Sequence, residues 1–231
     1  MVKGTILRVC YAWLPLLLVT SGALAHFDSA LPRLKQVSGG ISQSEFKQVI
    51  ALFEREFAQE AARDGRVFEI LFDWKEVWPQ AFARRWETDH LIVYGGIARI
   101  RGSTTDSFAL TLCHEVGHLY GGEPVSEPVN RMSVEGQADY WATSECWERV
   151  IGLLPLREGS EGERAFAAAL VLTSFFADNR SLPHPRVETP DTSVVAVTNK
   201  THPLPQCRLD TYVAGWEKRE RPHCWWAPEE N

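Results

Sequence analysis

His114, Glu115 and His118 stand in the order His-Glu-Val-Gly-His, inside the apolar stretch from Phe108 to Tyr120. On a helix, positions i and i+4 share a face, so both imidazoles reach toward one point and Glu115 projects beside it. Two imidazoles on a divalent cation, with a carboxylate next to the cation's bound water, are the parts of metal-assisted hydrolysis. A zinc site built for chemistry takes three protein ligands and leaves one position open for water. Glu135 is the expected third ligand, because it opens a second helical stretch from Ser133 to Thr143. Asp139 follows by four residues and shares its face. If the two helices run antiparallel, Glu135 lies near His118 and Asp139 near His114. There Asp139 would accept the ring N–H that faces away from the metal and set the tautomer of His114. The implied cofactor is one zinc ion.

The pairing of HExxH with a closely following ExxxD resembles the gluzincins, zinc metallopeptidases whose third ligand is a glutamate. The wording Glu135-Gly-Gln-Ala-Asp139 is similar to the ExxAD helix of the HtpX-like and CAAX-prenyl-protease family. Thr201-His202-Pro203, with Arg208 shortly after, resembles that family's downstream Thr-His-Pro segment. The spacing from His118 to Glu135 is shorter than in that family and closer to thermolysin-like and aminopeptidase gluzincins. The resemblance implies an α+β, zincin-like fold, mainly helical with a small sheet and with HExxH on the active-site helix. It implies hydrolysis of a peptide or protein substrate by a zinc-activated water, with Glu115 as general base. It also places a His-Pro segment near the zinc, which makes His202 the expected donor to the oxyanion. His184, flanked by Pro183 and Pro185, is its rival. In zincins the strand before the metal helix borders the cleft and pairs with the substrate backbone; by that analogy His90 to Arg99 is the expected aligning edge. The alternative there is an internal strand with a bulge at Gly95-Gly96. The alternative for the whole chain is a zinc-binding but non-catalytic module of the cell envelope that binds or chaperones other proteins.

These residues need elements to position them. Met1 to Ala25 reads as an export signal: Lys3 and Arg8 begin it, Val9 to Val19 is apolar, and Ala23-Leu24-Ala25 is an A-x-A cleavage site. The expected product is periplasmic or secreted and begins at His26, with 26–231 as one metallopeptidase-like domain. No later stretch is long and apolar enough to span a bilayer. Removing Lys3 and Arg8 with the signal takes the formal charge from -6 to -8. An acidic chain without a Lys/Arg cluster is a poor nucleic-acid binder. Export also changes how the cysteines read. Cys113, Cys146, Cys207 and Cys224 remain, an even set that suggests two disulfides, with three pairings open. The preferred pairing is Cys113–Cys146, tying the two site helices together, and Cys207–Cys224, closing the C-terminal loop. A buried free thiol is the alternative for Cys113.

Along the chain, 26–40 is expected to be a loose arm. Ser42-x-x-Glu45 is a capping box, and Phe46, Val49, Ile50, Phe53 and Phe57 follow at helical spacing, so a helix should run to about Asp64-Gly65. Val67 to Trp74 and His90 to Tyr94 read as strands, joined by the aromatic-rich connection Lys75 to Trp86. His90 is expected at a strand start on the surface. Thr104, Thr105 or Asp106 should cap the metal helix and Gly121-Gly122 end it. Ser133 should cap the next helix, which is expected to reach Ile151, with Gly136 letting its backbone approach the metal helix. Glu145 and Glu148 read as solvated charges. Ala165 to Ala177 reads as a buried supporting helix, Asn179 to Lys200 as a long loop, and Leu209 to Trp216 as a last short helix. Arg208 is expected to pair with an acidic residue, and Trp225-Trp226 to seal a core.

Overall fold

The computed structural model of the chain describes residues 40–127 and 129–228. The expected export segment 1–25, Cys10 within it and nearly all of the arm lie outside the described residues. The fold is α+β, about half helical with one small sheet. No helix among the described residues is long and apolar enough to cross a membrane.

Helix α1 spans Gln43–Arg63. Ser42 and Glu45 close the capping box in both directions, which satisfies two N–H groups that the first turn leaves unpaired. Phe46, Val49, Ile50, Phe53 and Phe57 form its buried stripe. Burying each large side chain contributes ~1.5–3 kcal/mol. After the C-cap Asp64, Gly65 takes a left-handed φ of 68° and turns the chain into the sheet.

Strands β1 (Val67–Asp73), β2 (Ala81–Arg85) and β3 (Thr88–Tyr94) pair in the order β1-β3-β2. β1 runs parallel to β3, and β2 antiparallel. This overturns the expected aligning edge. β3 is hydrogen-bonded on both sides, so its backbone has no free edge to offer. Past Tyr94 the chain does not extend but coils into a 3-10 turn, Gly95–Arg99. A Cβ at Gly95 or Gly96 would overlap the backbone of Trp74 or Trp78. His90 sits in mid-strand, opposite Glu69 and Arg84, rather than at a strand start. The edge strands are β1 and β2, and β2, the one packed beside α2, lies inside the stretch read as a connection. Its inward positions hold Ala81, Ala83 and Arg85, opposite the buried Val93, Leu91 and Asp89, while Phe82 points to the other face. Small or charged residues inward and a phenylalanine outward conceal the alternation that marks a half-buried strand.

Helix α2, Thr105–Tyr120, carries HEVGH. Thr104 is its cap, in a reciprocal pair with Ser107. All of its residues but His118 and Tyr120 are buried, because α1, the sheet and the later helices surround it. Phe108 stacks on Phe46 of α1 at 4.7 Å. Arg85 fixes β2 to the C-terminal end of α2: it donates to the α2 carbonyl of Leu119 at 2.6 Å and to the buried Asp89 of β3 at 3.1 Å. Tyr120 of α2 donates to the same Asp89.

Helix α3, Glu135–Trp141, passes through a π turn at Ala142–Cys146 into α4, Trp147–Val150, and a final 3-10 turn at Ile151–Leu153. Its N-cap is Val134, without a side-chain bond; the expected cap Ser133 instead donates its hydroxyl to the carbonyl of Gly122. Gly136 does not face α2. A side chain there would fall on the ring of Trp225. The close approach of the two site helices is made by Gly117 of α2, whose absent Cβ would lie 2.8 Å from the carbonyl oxygen of Ala138.

Helix α5, Glu161–Arg180, buries an alanine-rich face including Ala165, Ala168, Ala169 and Ala177. Helix α6, Pro205–Trp216, starts with proline at its first position, where no N–H is needed. The long segment between them has no helix or strand. It is tied down by Val195 and Asn199, whose N–H groups donate to the carbonyls of His223 and Trp225. One large hydrophobic cluster draws on α1, the sheet, α2, α5 and α6; a smaller one holds Val134, Cys207, Cys224 and Trp225. Two disulfides, Cys113–Cys146 and Cys207–Cys224, join α2 to the π turn and α6 to the C-terminal segment.

Candidate metal centre

The contacts between α2 and α3 run in opposite order along the two helices: Gly121 with Gln137, Gly117 with Ala138, Cys113 with Cys146. The helices are therefore antiparallel, and their facing residues meet. His114 Nε2 and His118 Nε2 stand 3.1 Å apart. The Glu135 carboxylate lies 3.3 Å from the first and 3.6 Å from the second. Glu135 thus faces both histidines rather than His118 alone. One ligand atom from each of the three residues lies within 4.8 Å of the others.

The tautomers follow from the partners. His118 Nδ1 is 2.8 Å from the carbonyl oxygen of Ser133, which only accepts. His114 Nδ1 is 2.7 Å from Oδ1 of the buried Asp139. Each ring therefore gives its Nδ1 proton to an oxygen, and Nε2 is the atom turned inward. Oε2 of Glu135 is buried and faces His114 Nε2 at 3.3 Å. Two imidazole nitrogens, each ring oriented by a partner behind it, and a carboxylate oxygen are a donor set that fits a divalent cation such as zinc.

Around this set the charges are strongly coupled. Burial works against a charged His114, but Asp139, reinforced by the hydrogen bond to Glu135, overrides it and raises its pKa to about 10. Burial lowers His118 against the pull of Glu135. Burial likewise lowers His202 to about 4. Glu135 is held well below the usual carboxylate range: burial opposes its charge, and the surrounding histidines more than offset that. Glu115 goes the other way. Burial pushes it up to about 8, the neighbouring Glu135 adds to the rise, and His114 and the backbone of Ala83 oppose it. The Ala83 contact ties the carboxylate of the HExxH motif to the free-edge strand β2.

Asp139 is the node of the supporting network. Arg208 of α6 donates to it through Nε and Nη2, both at 2.7 Å, and the hydroxyl of the buried Tyr212 bonds it as well. Arg208 Nη2 and His114 Nδ1 are 3.4 Å apart; both are donors sharing Asp139 Oδ1, so no bond joins them. The guanidinium also lies 4.4 Å over the ring of Phe176. The acid pairing expected for Arg208 is therefore part of the site. Its position six residues after His202, in the segment that resembles the family motif, was the signal for it. Nothing in the sequence pointed to Tyr212, to the Ser133 carbonyl or to the Ala83 backbone.

No known protein family, curated protein or solved structure matches this chain. The site is therefore read from its own residues. His202 is brought to it, with Nε2 3.2 Å from Glu135. His184 is not: it is exposed and pairs with Asp178 at 2.7 Å. Glu145 is exposed and Glu148 pairs with Lys218, both away from the cluster. A second grouping, Asp191 with Cys207 and Cys224, offers no thiolate because the two cysteines are bonded to each other.

Proposed function

We propose that this chain is an exported, zinc-dependent peptidase of the gluzincin type, with His114, His118 and Glu135 as metal ligands. One observation carries the reading. The two histidines of HExxH have their Nδ1 protons fixed on Asp139 and Ser133, and their Nε2 atoms converge with Glu135 on one point. The carboxylates draw a positive charge to His114, and a divalent cation meets the same demand, so metal uptake releases a proton.

Zinc, when bound, supplies a Lewis acid that makes water a competent nucleophile near neutral pH. Glu115 takes a proton from the attacking water and returns it to the leaving nitrogen. A pKa raised by burial suits both halves of that role, since a base poised near the working pH also releases its proton readily. His202, neutral and beside Glu135, is the expected donor to the developing oxyanion. β2 supports the same reading as a free edge beside Glu115, along which an extended peptide backbone would pair. The small sheet flanking a buried HExxH helix is the arrangement a zincin-like fold calls for. The paired cysteines suit an exporting route.

The test is metal analysis of the mature, oxidised protein, followed by a peptide-library hydrolysis assay with a chelator control. The expected result is one zinc per chain and cleavage that the chelator abolishes and zinc restores. A metal-free preparation that does not take up added zinc would end this reading, and zinc without cleavage would leave a binding module.

A further inference from the structure

Both disulfides end on a residue adjacent to the site. Cys113 directly precedes the ligand His114, and its partner Cys146 lies in the π turn that continues α3, the helix of Glu135 and Asp139. Cys207 directly precedes Arg208, which holds Asp139. Its partner Cys224 directly precedes Trp225, whose ring fills the space beside Gly136, next to Glu135. The Cys207–Cys224 bridge also shares its small hydrophobic cluster with Val134, the residue before Glu135. One bridge therefore fixes the histidine helix against the glutamate helix. The other fixes the Asp139-binding arginine and the packing behind Glu135.

We propose that these two bridges assemble the metal site, so that tight zinc capture follows disulfide formation and the reduced chain is a poor zinc binder. This rests on the zinc-site reading above and adds its regulation. Three donors spread over α2 and α3 bind a cation tightly only when the helices are held in register before it arrives, because otherwise binding must also supply the ordering. Closing each bridge removes two protons and two electrons from a pair of thiols. A small disulfide such as oxidised glutathione accepts them by exchange and leaves as two thiols. In a thiol-rich compartment the exchange runs the other way and the ligands stay uncoupled. A hydrolase regulated in this way stays idle until it is exported.

The experiment measures zinc affinity by competition with a chromophoric chelator, for the oxidised protein and for the Cys113→Ala/Cys146→Ala and Cys207→Ala/Cys224→Ala variants, with circular dichroism to check folding. The expected loss in each folded variant is ~10–100-fold, the range seen when the groups that orient metal ligands are removed. Coupling is reciprocal, so saturating zinc must shift the disulfides of the unaltered protein toward the oxidised form by the factor that separates the zinc affinities of its oxidised and reduced states. That shift is read at fixed free zinc in a glutathione redox buffer, by alkylation and mass spectrometry, and it decides the matter if the variants fail to fold. Equal affinity in oxidised protein and folded variants, or a redox equilibrium indifferent to zinc, overturns the proposal while leaving the zinc site standing. Failure of the oxidised protein itself to bind zinc overturns the site reading instead.

Discussion

Arg208 embraces Asp139 with two hydrogen bonds of 2.7 Å, and Asp139 in turn holds the Nδ1 proton of His114 at 2.7 Å. An arginine on the last helix thereby sets the orientation of a histidine on the central one. Arg208 is 2 % exposed, so its charge depends on this partner. Asp139→Asn leaves that charge without a carboxylate, and breaking a buried pair in this way costs about 3–5 kcal/mol. Denaturant unfolding should show that loss, and chelator competition a zinc affinity lower by ~10–100-fold. A variant binding zinc as tightly as the unaltered protein would remove Asp139 from the site.

The same pair predicts a pH dependence. Asp139 titrates at about 2 in the folded protein, against an ordinary value of 3.8, because burial is outweighed by Arg208 and His114. A carboxyl with a depressed folded-state pKa stabilises the fold above its unfolded value, and that stability is lost as pH falls through the folded one. In metal-stripped protein, the unfolding free energy should therefore drop by ~2 kcal/mol between about pH 4 and pH 2 from this group. Asp139→Asn should lack that part of the slope. Parallel slopes in the two proteins would show that the carboxylate is not what Arg208 stabilises.

Glu115→Gln preserves size and removes the basic oxygen. Zinc content should stay at that of the unaltered chain while turnover falls by ~10²–10⁴-fold, the usual contribution of a positioned general base. Metal analysis beside kcat separates the two quantities, and undiminished kcat would exclude Glu115 from proton transfer.

Gly117→Ala tests the close approach of the two site helices. Alanine improves helix propensity by about 1 kcal/mol. Its Cβ, however, would meet the carbonyl oxygen of Ala138 at 2.8 Å and its Cα at 3.0 Å, backbone atoms that yield only if α2 and α3 separate. Overpacking of this kind costs ~1–3 kcal/mol, so the net sign is destabilising. Separation also draws His118 from Glu135 and weakens zinc binding. A thermal melt with an unchanged or higher midpoint would show that the helices accommodate the methyl group.

The features that the chain alone made legible are the ones written in short spacings. His114, Glu115 and His118 share a helix face because 3.6 residues make a turn, and Glu135 and Asp139 do so for the same reason. Ser42 with Glu45 announced α1, whereas α6, expected from Leu209, starts four residues earlier at Pro205. Such signals depend on hydrogen bonds within one segment, so no distant residue can change them. The cysteine pairing was a preference among three, and the structure realises it because the antiparallel helices bring Cys113 and Cys146 to a Cα separation of 5.5 Å.

Tertiary structure decided the rest. Whether β3 has a free edge depends on what lies on both sides of it, and the strand that covers one side, β2, turns two alanines and an arginine inward and no large apolar side chain. Gly117 and Gly136 look alike in the sequence; one meets Ala138 and the other Trp225, a ring from the far end of the chain. Arg208 calls for an acid, but only the packing of α6 on α3 selects Asp139. Periodicity and capping determined which side chains share a face, since backbone geometry sets that locally. Which faces meet was left to the burial of distant apolar surface, a property of the whole chain that no single segment contains.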